Sequence, residues 1–136
     1  MRAPSQTGSR RLSRSAEFER VYRHGRSTAN RHLVLYTFPN ASTSRARLGL
    51  SVSRKVGGAV ERNHVKRLLR EAFAEVEGEL DPAQDIVVVA RPEIRELAER
   101  DGLEGVSGTL GELIERSRLR QREGSTAGGL SGAESS

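Results

Sequence analysis

The sequence predicts an α+β protein, a two-layer α/β sandwich, from three observations. Apolar residues recur at helical spacing in three segments, alternate at strand spacing in two more, and form one short unbroken run. Glycine, proline and serine clusters separate these segments. The order is helix, two or three antiparallel strands, a long basic helix, a strand and a final helix.

The first helix is predicted from Ser13 or Ser15 to His24. A serine can cap the free N–H groups, Glu17 suits the first turn, and Gly25 suits the stop. Phe18, Val21 and Tyr22 form its apolar stripe. A strand from Arg31 to Phe38 follows and ends at Pro39-Asn40. Leu33 and Leu35 point to one side of it, His32, Val34, Tyr36 and Phe38 to the other. The next strand, Ala46 to Val52, alternates Leu48, Leu50 and Val52 with Arg47, Gly49 and Ser51. One face of the sheet is therefore core, and the other is open to a ligand. A short extra strand around Arg26 to Thr28 is the least marked element.

After Gly57-Gly58 comes the strongest helix, Ala59 to Val76. Val65, Leu68, Leu69, Ala72 and Val76 share one face. Arg62, Lys66, Arg70, Asn63 and Arg67 form the adjoining arc, and Glu61, Glu71 and Glu75 take the remaining side. A charge run on a helix is usually a solvated face, but four like charges on one arc repel unless an anion compensates them. Ile86 to Ala90 reads as a buried strand stopped by Arg91-Pro92. The final helix is predicted over Gly108 to Leu119, with Leu110, Leu113, Ile114 and Ser117 inward. Residues 93–106 stay open, Ile94 and Leu97 suggesting one helical turn or more. The basic arm 1–11 and the Gly/Ser-rich tail 120–136 hold too little apolar surface to offset their ordering entropy. Both are expected to be disordered, which leaves a folded domain over 12–119.

Charge narrows the function. The 136 residues carry a net +5, but residues 1–70 hold +13 and residues 71–136 hold −8. Such a block of positive potential points to a polyanion. An anionic membrane would call for a basic helix with a bulky apolar face at its surface, whereas here the apolar faces are needed for the core. Nucleic acid is favoured. With no cysteine, disulfides and thiolate metal sites are excluded. No apolar run approaches the roughly 20 residues of a membrane span, and a cytoplasmic location is expected.

Intrinsic catalysis is not expected. A protein nuclease needs clustered carboxylates for metal ions, or an activated nucleophile with its base. The positive half offers only Glu17, Glu19 and Glu61. Asp81 and Asp85 flank the last strand without a partner in view, and His24, His32 and His64 lack metal-ligand spacing. Gly57-Gly58 is no phosphate loop, although its backbone N–H groups could face an anion. Tyr22 and Tyr36, each with a polar hydroxyl, offer a stacking platform beside basic residues, whereas Phe38 reads as core.

Residues 51–71 read Ser-Val-Ser-Arg-Lys-Val-Gly-Gly-Ala-Val-Glu-Arg-Asn-His-Val-Lys-Arg-Leu-Leu-Arg-Glu. This run closely resembles the signature of the bacterial ribonuclease P protein family. The segments Phe18-Glu19-Arg20-Val21-Tyr22-Arg23-His24-Gly25 and Ala29-Asn30-Arg31-His32-Leu33-Val34-Leu35-Tyr36 resemble its first helix and following strand. The resemblance implies an α-β-β-β-α-β-α order with a left-handed β-α-β crossover. It implies a monomeric RNA-binding subunit of an endoribonuclease whose catalytic centre lies in a partner RNA, one protein copy per RNA. Mg²⁺, bound mainly by that RNA, would be the cofactor. Arg54, Lys55, Arg62, Asn63, His64, Lys66, Arg67 and Arg70 would contact the catalytic RNA. Phe18, Tyr22, Val34 and Tyr36 would line a cleft for the single-stranded 5′ leader of precursor tRNA. His64 stands where the family signature has a second arginine, so one permanent charge is missing. The rival readings are a structured-RNA-binding module of the ribosomal or assembly type and, more distantly, a protein-only nuclease.

Overall fold

The computed structural model describes residues 12, 15–41, 46–80 and 83–131, with side chains as far as Arg120. The elements are α1 (Ser15–His24), β1 (Arg26–Ala29), β2 (Leu33–Pro39), β3 (Arg47–Val52), α2 (Ala59–Val76), β4 (Gln84–Ala90) and α3 (Ile94–Ser131), with a 3₁₀ turn at Glu77–Glu79. The four strands make one mixed sheet in the order β1-β2-β4-β3. β1 pairs antiparallel with β2, β2 antiparallel with β4, and β3 parallel with β4. β2 and β3 are thus not neighbours, because β4 inserts between them. α2 is the crossover that returns the chain from β3 to its parallel partner, as a parallel pair requires.

Burial follows the strand alternation. Leu33, Leu35, Ile86 and Val88 project to one side, where Val65, Leu68, Leu69, Ala72 and Phe73 of α2 meet Ile94, Val106, Leu110 and Leu113 of α3. Each fully buried side chain of this size contributes about 1.5–3 kcal/mol. The predicted stripe of α2 is the buried one, with Phe73 as an addition and Val76 only half-buried. This face forms the two-layer sandwich. The opposite face, read as open, carries a partial third layer: Val21 of α1 and Leu12 pack with Val87, flanked by Phe18, Tyr36, Phe38 and Val89.

α3 departs most from expectation. It begins at Ile94 rather than Gly108, and its backbone continues to Ser131, past both the expected end at Leu119 and the tail boundary at 120. Gly102, at φ 59°, breaks it into two pieces. That left-handed value is one side chains rarely adopt, and glycine takes it without steric cost. The expected basic arm 1–11 and Asp81 lie outside the described residues, as do residues 132–136. Among the described residues no helix is long and apolar enough to cross a membrane.

Candidate nucleic-acid interface

Two surfaces meet at the end of β3. Gly49 and Ser51 lie on the α1 side of that strand, and the chain then turns through Arg54 and Lys55 into α2. The turn is tight: Val56 N–H donates to Ser53 O at 3.0 Å, Gly57 N–H to Arg54 O at 3.2 Å, and Lys55 N–H to Ser53 Oγ at 3.2 Å. Gly58 N–H donates to Glu61 Oε1 at 2.9 Å, an N3 carboxylate satisfying a helix start. Both glycine N–H groups are therefore occupied, so the anion cradle considered for Gly57-Gly58 is not formed by them.

The turn leaves Arg54 and Lys55 exposed, followed along α2 by Asn63, Arg67 and Arg70 exposed and by Arg62, His64 and Lys66 half-buried. Arg62 Nε reaches Gly58 O at 3.4 Å, and Arg67 Nη2 donates to His64 Nδ1 at 3.1 Å. Among the described residues, none of Arg54, Lys55, Arg62, Lys66 and Arg67 has a carboxylate partner. Glu61 turns instead to Arg95 at 3.7 Å, away from the arc. Val60 stands 78% exposed beside this patch. It is an apolar surface residue whose only sequence signal was its position off the α2 stripe.

Exchange of His64 for arginine adds a charge beside Arg67, at the border of this arc. His64→Arg is expected to tighten binding of the partner RNA, most clearly at high salt. An unchanged affinity would place the residue outside the interface.

The second surface lies where α1 crosses the sheet. Tyr22, 39% exposed, meets Tyr36 edge-on with ring centroids 4.9 Å apart at 70°. Phe18 sits 6.3 Å from Tyr22 by centroid. A Cβ on Gly49 would lie 2.7 Å from Phe18 Cζ, so only glycine lets the ring settle there. Val34, half-buried, adjoins Tyr36 on the same face and pairs across to Ala29 and Val89. Phe18, Tyr22, Val34 and Tyr36 thus lie together on the α1 face of the sheet. Phe38 is half-buried on this face, its ring 6.3 Å from that of His24.

One assembly at the far end of this face was not foreseen. Asp85, whose side chain is 1% exposed, accepts from Arg47 Nε at 2.9 Å and Nη2 at 3.2 Å, and from Asn40 Nδ2 at 3.1 Å. Arg47 Nη2 also reaches Glu17 of α1 at 3.3 Å. The hydrogen bond to Asp85 raises the Arg47 guanidinium above its ordinary range, against the opposing effect of burial. Among the described residues no three His, Cys, Asp or Glu side chains converge as a metal site.

Residues 7–113 match the family model for ribonuclease P. The chain is 51% identical over 88 residues to the ribonuclease P protein component of Shouchella clausii, covering 65% of this chain and 72% of that one. It is 37% identical over 111 residues to the Brevibacillus brevis protein component, covering 82% and 85%. Among solved structures it resembles a mutant of the Staphylococcus aureus RNase P protein with defective mRNA degradation activity. There the TM-score is 0.74 at 34% identity, over 83% of this chain and 92% of that one. For the Thermotoga maritima RNase P protein the TM-score is 0.70 at 34% identity, over 78% and 96%. With its fold, its signature helix and its matched length in agreement, this chain belongs to the ribonuclease P family, as a protein component of that ribonucleoprotein endoribonuclease.

Proposed function

We propose that this chain binds the catalytic RNA of ribonuclease P through α2 and the Arg54-Lys55 turn, and holds the 5′ leader of precursor tRNA in the α1–sheet cleft. The observation that carries this is the α2 arc with its adjoining turn, where five cations have no carboxylate partner among the described residues. Elsewhere among the described residues Arg23, Arg47, Arg95, Arg100 and Arg116 face carboxylates, while Arg20, Arg26, Arg31, Arg91, Arg118 and Arg120 do not. What sets the arc apart is five such cations on one turn and one helix. Cations left uncompensated on one arc are set for an external polyanion. Ser51 and Ser53 lead from that arc to the aromatic pair, so one RNA can hold the first surface while a second strand enters the cleft.

As befits a protein component of ribonuclease P, the hydrolytic chemistry is assigned to the partner RNA. Mg²⁺ bound there would supply the activated water and the charge stabilisation. The protein's own work is positional: it neutralises phosphate near the site, and it stacks and orients the leader. One copy per catalytic RNA, acting as a monomer in the cytoplasm, completes the reading.

The test is cleavage of a 5′-extended precursor tRNA at low Mg²⁺ by the catalytic RNA alone, the protein alone, and both. Cleavage at the mature 5′ end that needs both supports the reading. RNA binding with no gain in cleavage would reduce the chain to a structured-RNA-binding module, and cleavage by protein alone would overturn the assignment of chemistry to RNA. In the same assay Tyr36→Ala is expected to lose one stacked base, about 1–3 kcal/mol or on the order of tenfold in affinity for leader-bearing substrate. Mature tRNA should bind it as before. Intact leader affinity in that variant would count against the cleft.

A further inference from the structure

The outer edge of β1 carries cations that neither surface above uses. β1 is an edge strand, and an edge strand presents unpaired carbonyls. Arg116 Nη1 of α3 donates to Ala29 O at 3.1 Å, and Arg120 Nη1 donates to Ser27 O and, at 3.3 Å, to Thr28 Oγ1. Arg26 Nη1 returns to Arg120 O at 3.4 Å. Covering an edge explains why hydrogen-bond donors stand there. It does not explain why both donors are arginines.

A guanidinium has five N–H donors, and these contacts use one nitrogen of each. Among the described residues Arg26 and Arg120 have no carboxylate partner, while Arg116 has only Glu112 at 3.8 Å. All three are exposed. Their place relative to the cleft is set by strand register. Ser27 stands opposite Tyr36 and Ala29 opposite Val34, and residues directly opposite share a face. The floor beneath α1 therefore runs from Tyr36 and Val34 onto β1, at whose outer edge Arg116 and Arg120 reach round from α3 on the opposite face of the sheet. The β3 edge, leading to Arg54 and Lys55, lies three strand spacings away, about 14 Å. The family match stops at residue 113, short of both arginines.

We propose that Arg116 and Arg120, with Arg26, form a phosphate-binding rim at the β1 edge of the cleft, which holds the part of a single-stranded leader distal to the tRNA. This rests on the cleft reading above, and makes leader length, not only leader presence, a determinant of substrate affinity.

The test uses holoenzyme reconstituted with the catalytic RNA, and precursor tRNAs with leaders of about 4 and about 16 nucleotides. The double variant Arg116→Gln/Arg120→Gln keeps amide donors for the β1 carbonyls and removes both charges. Affinity for the long leader is expected to fall on the order of tenfold. Its dependence on log salt should become shallower by about 1.4, for two single-strand contacts at about 0.7 each. The short leader should bind unchanged. Arg118→Gln, about 200° round the helix from both residues, should leave both substrates unaffected.

An equal fall on short and long leaders would overturn the rim, since it would trace the effect to a disturbed sheet edge. Normal Tyr36→Ala losses beside an intact long-leader affinity in the glutamine pair would overturn the rim alone. No loss in Tyr36→Ala on either substrate would overturn the cleft, and the rim with it. Should the glutamine pair melt early, Arg116→Lys/Arg120→Lys, which keeps charge and donor, must restore the length dependence.

Discussion

Asp85→Ala is expected to cost about 3–5 kcal/mol of folding stability. Asp85 is 1% exposed at the side chain and accepts hydrogen bonds from both Arg47 and Asn40. Its removal leaves the largely buried Arg47 guanidinium with Glu17 alone, at 3.3 Å. The penalty is that of an undercompensated charge held away from water, which exceeds the net worth of the pair itself. The cluster also joins three elements and a turn: Glu17 on α1, Arg47 on β3, Asp85 on β4 and Asn40 just beyond β2. Its loss should loosen α1 over the cleft as well as the sheet. Urea denaturation should show a lowered midpoint at unchanged m-value. The paired exchange Arg47→Met/Asp85→Leu, with no charge left to strand, should recover most of the loss. A cost below about 1 kcal/mol for Asp85→Ala would mean that this bridge behaves as a solvated surface pair.

That cluster marks where the sequence stops being legible. Periodicity reports only what neighbouring residues do together. It delivered the two sides of β2 and the buried stripe of α2, and with them both candidate surfaces. Arg47 and Asp85 are 38 residues apart, and they meet only because β4 inserts between β2 and β3. Nothing local encodes that insertion, so Asp85 read as an acid without a partner and Glu17 as a helix-terminus charge. The first part of α3 was lost for a different reason. Gly102, Gly105, Gly108 and Gly111 dilute its helical signal, although Ile94, Leu97 and Ala98 keep the helical spacing of a buried face. The glycines left that stretch open between helix and loop, and packing of its apolar face against α2 settles it as helix. The cleft residues were legible one by one. Their edge-on contact and the seat that Gly49 gives Phe18 depend on how α1 crosses the sheet.

The largest effect on function is expected from the α2 arc. Arg62→Ala/Lys66→Ala/Arg67→Ala should lower affinity for the catalytic RNA on the order of 100-fold near 0.1 M salt, because each phosphate contact contributes about 0.7–0.9 decades there. The plot of log affinity against log salt should lose about 2–3 units of slope, so wild type and variant converge as salt rises. Folding should be nearly untouched. The three side chains lie off the buried stripe of Val65, Leu68, Leu69, Ala72 and Phe73, alanine favours helix, and surface exchanges of this kind stay within about 0.5 kcal/mol. The two surfaces then separate by readout. The triple variant should bind RNA weakly yet keep the ratio of leader-bearing to leaderless affinity, whereas Tyr36→Ala should lose that ratio and keep its grip on the catalytic RNA. A triple variant that binds at full strength with an undiminished salt slope would show that the uncompensated charge on α2 faces only water, and the RNA contact would have to be sought on another face.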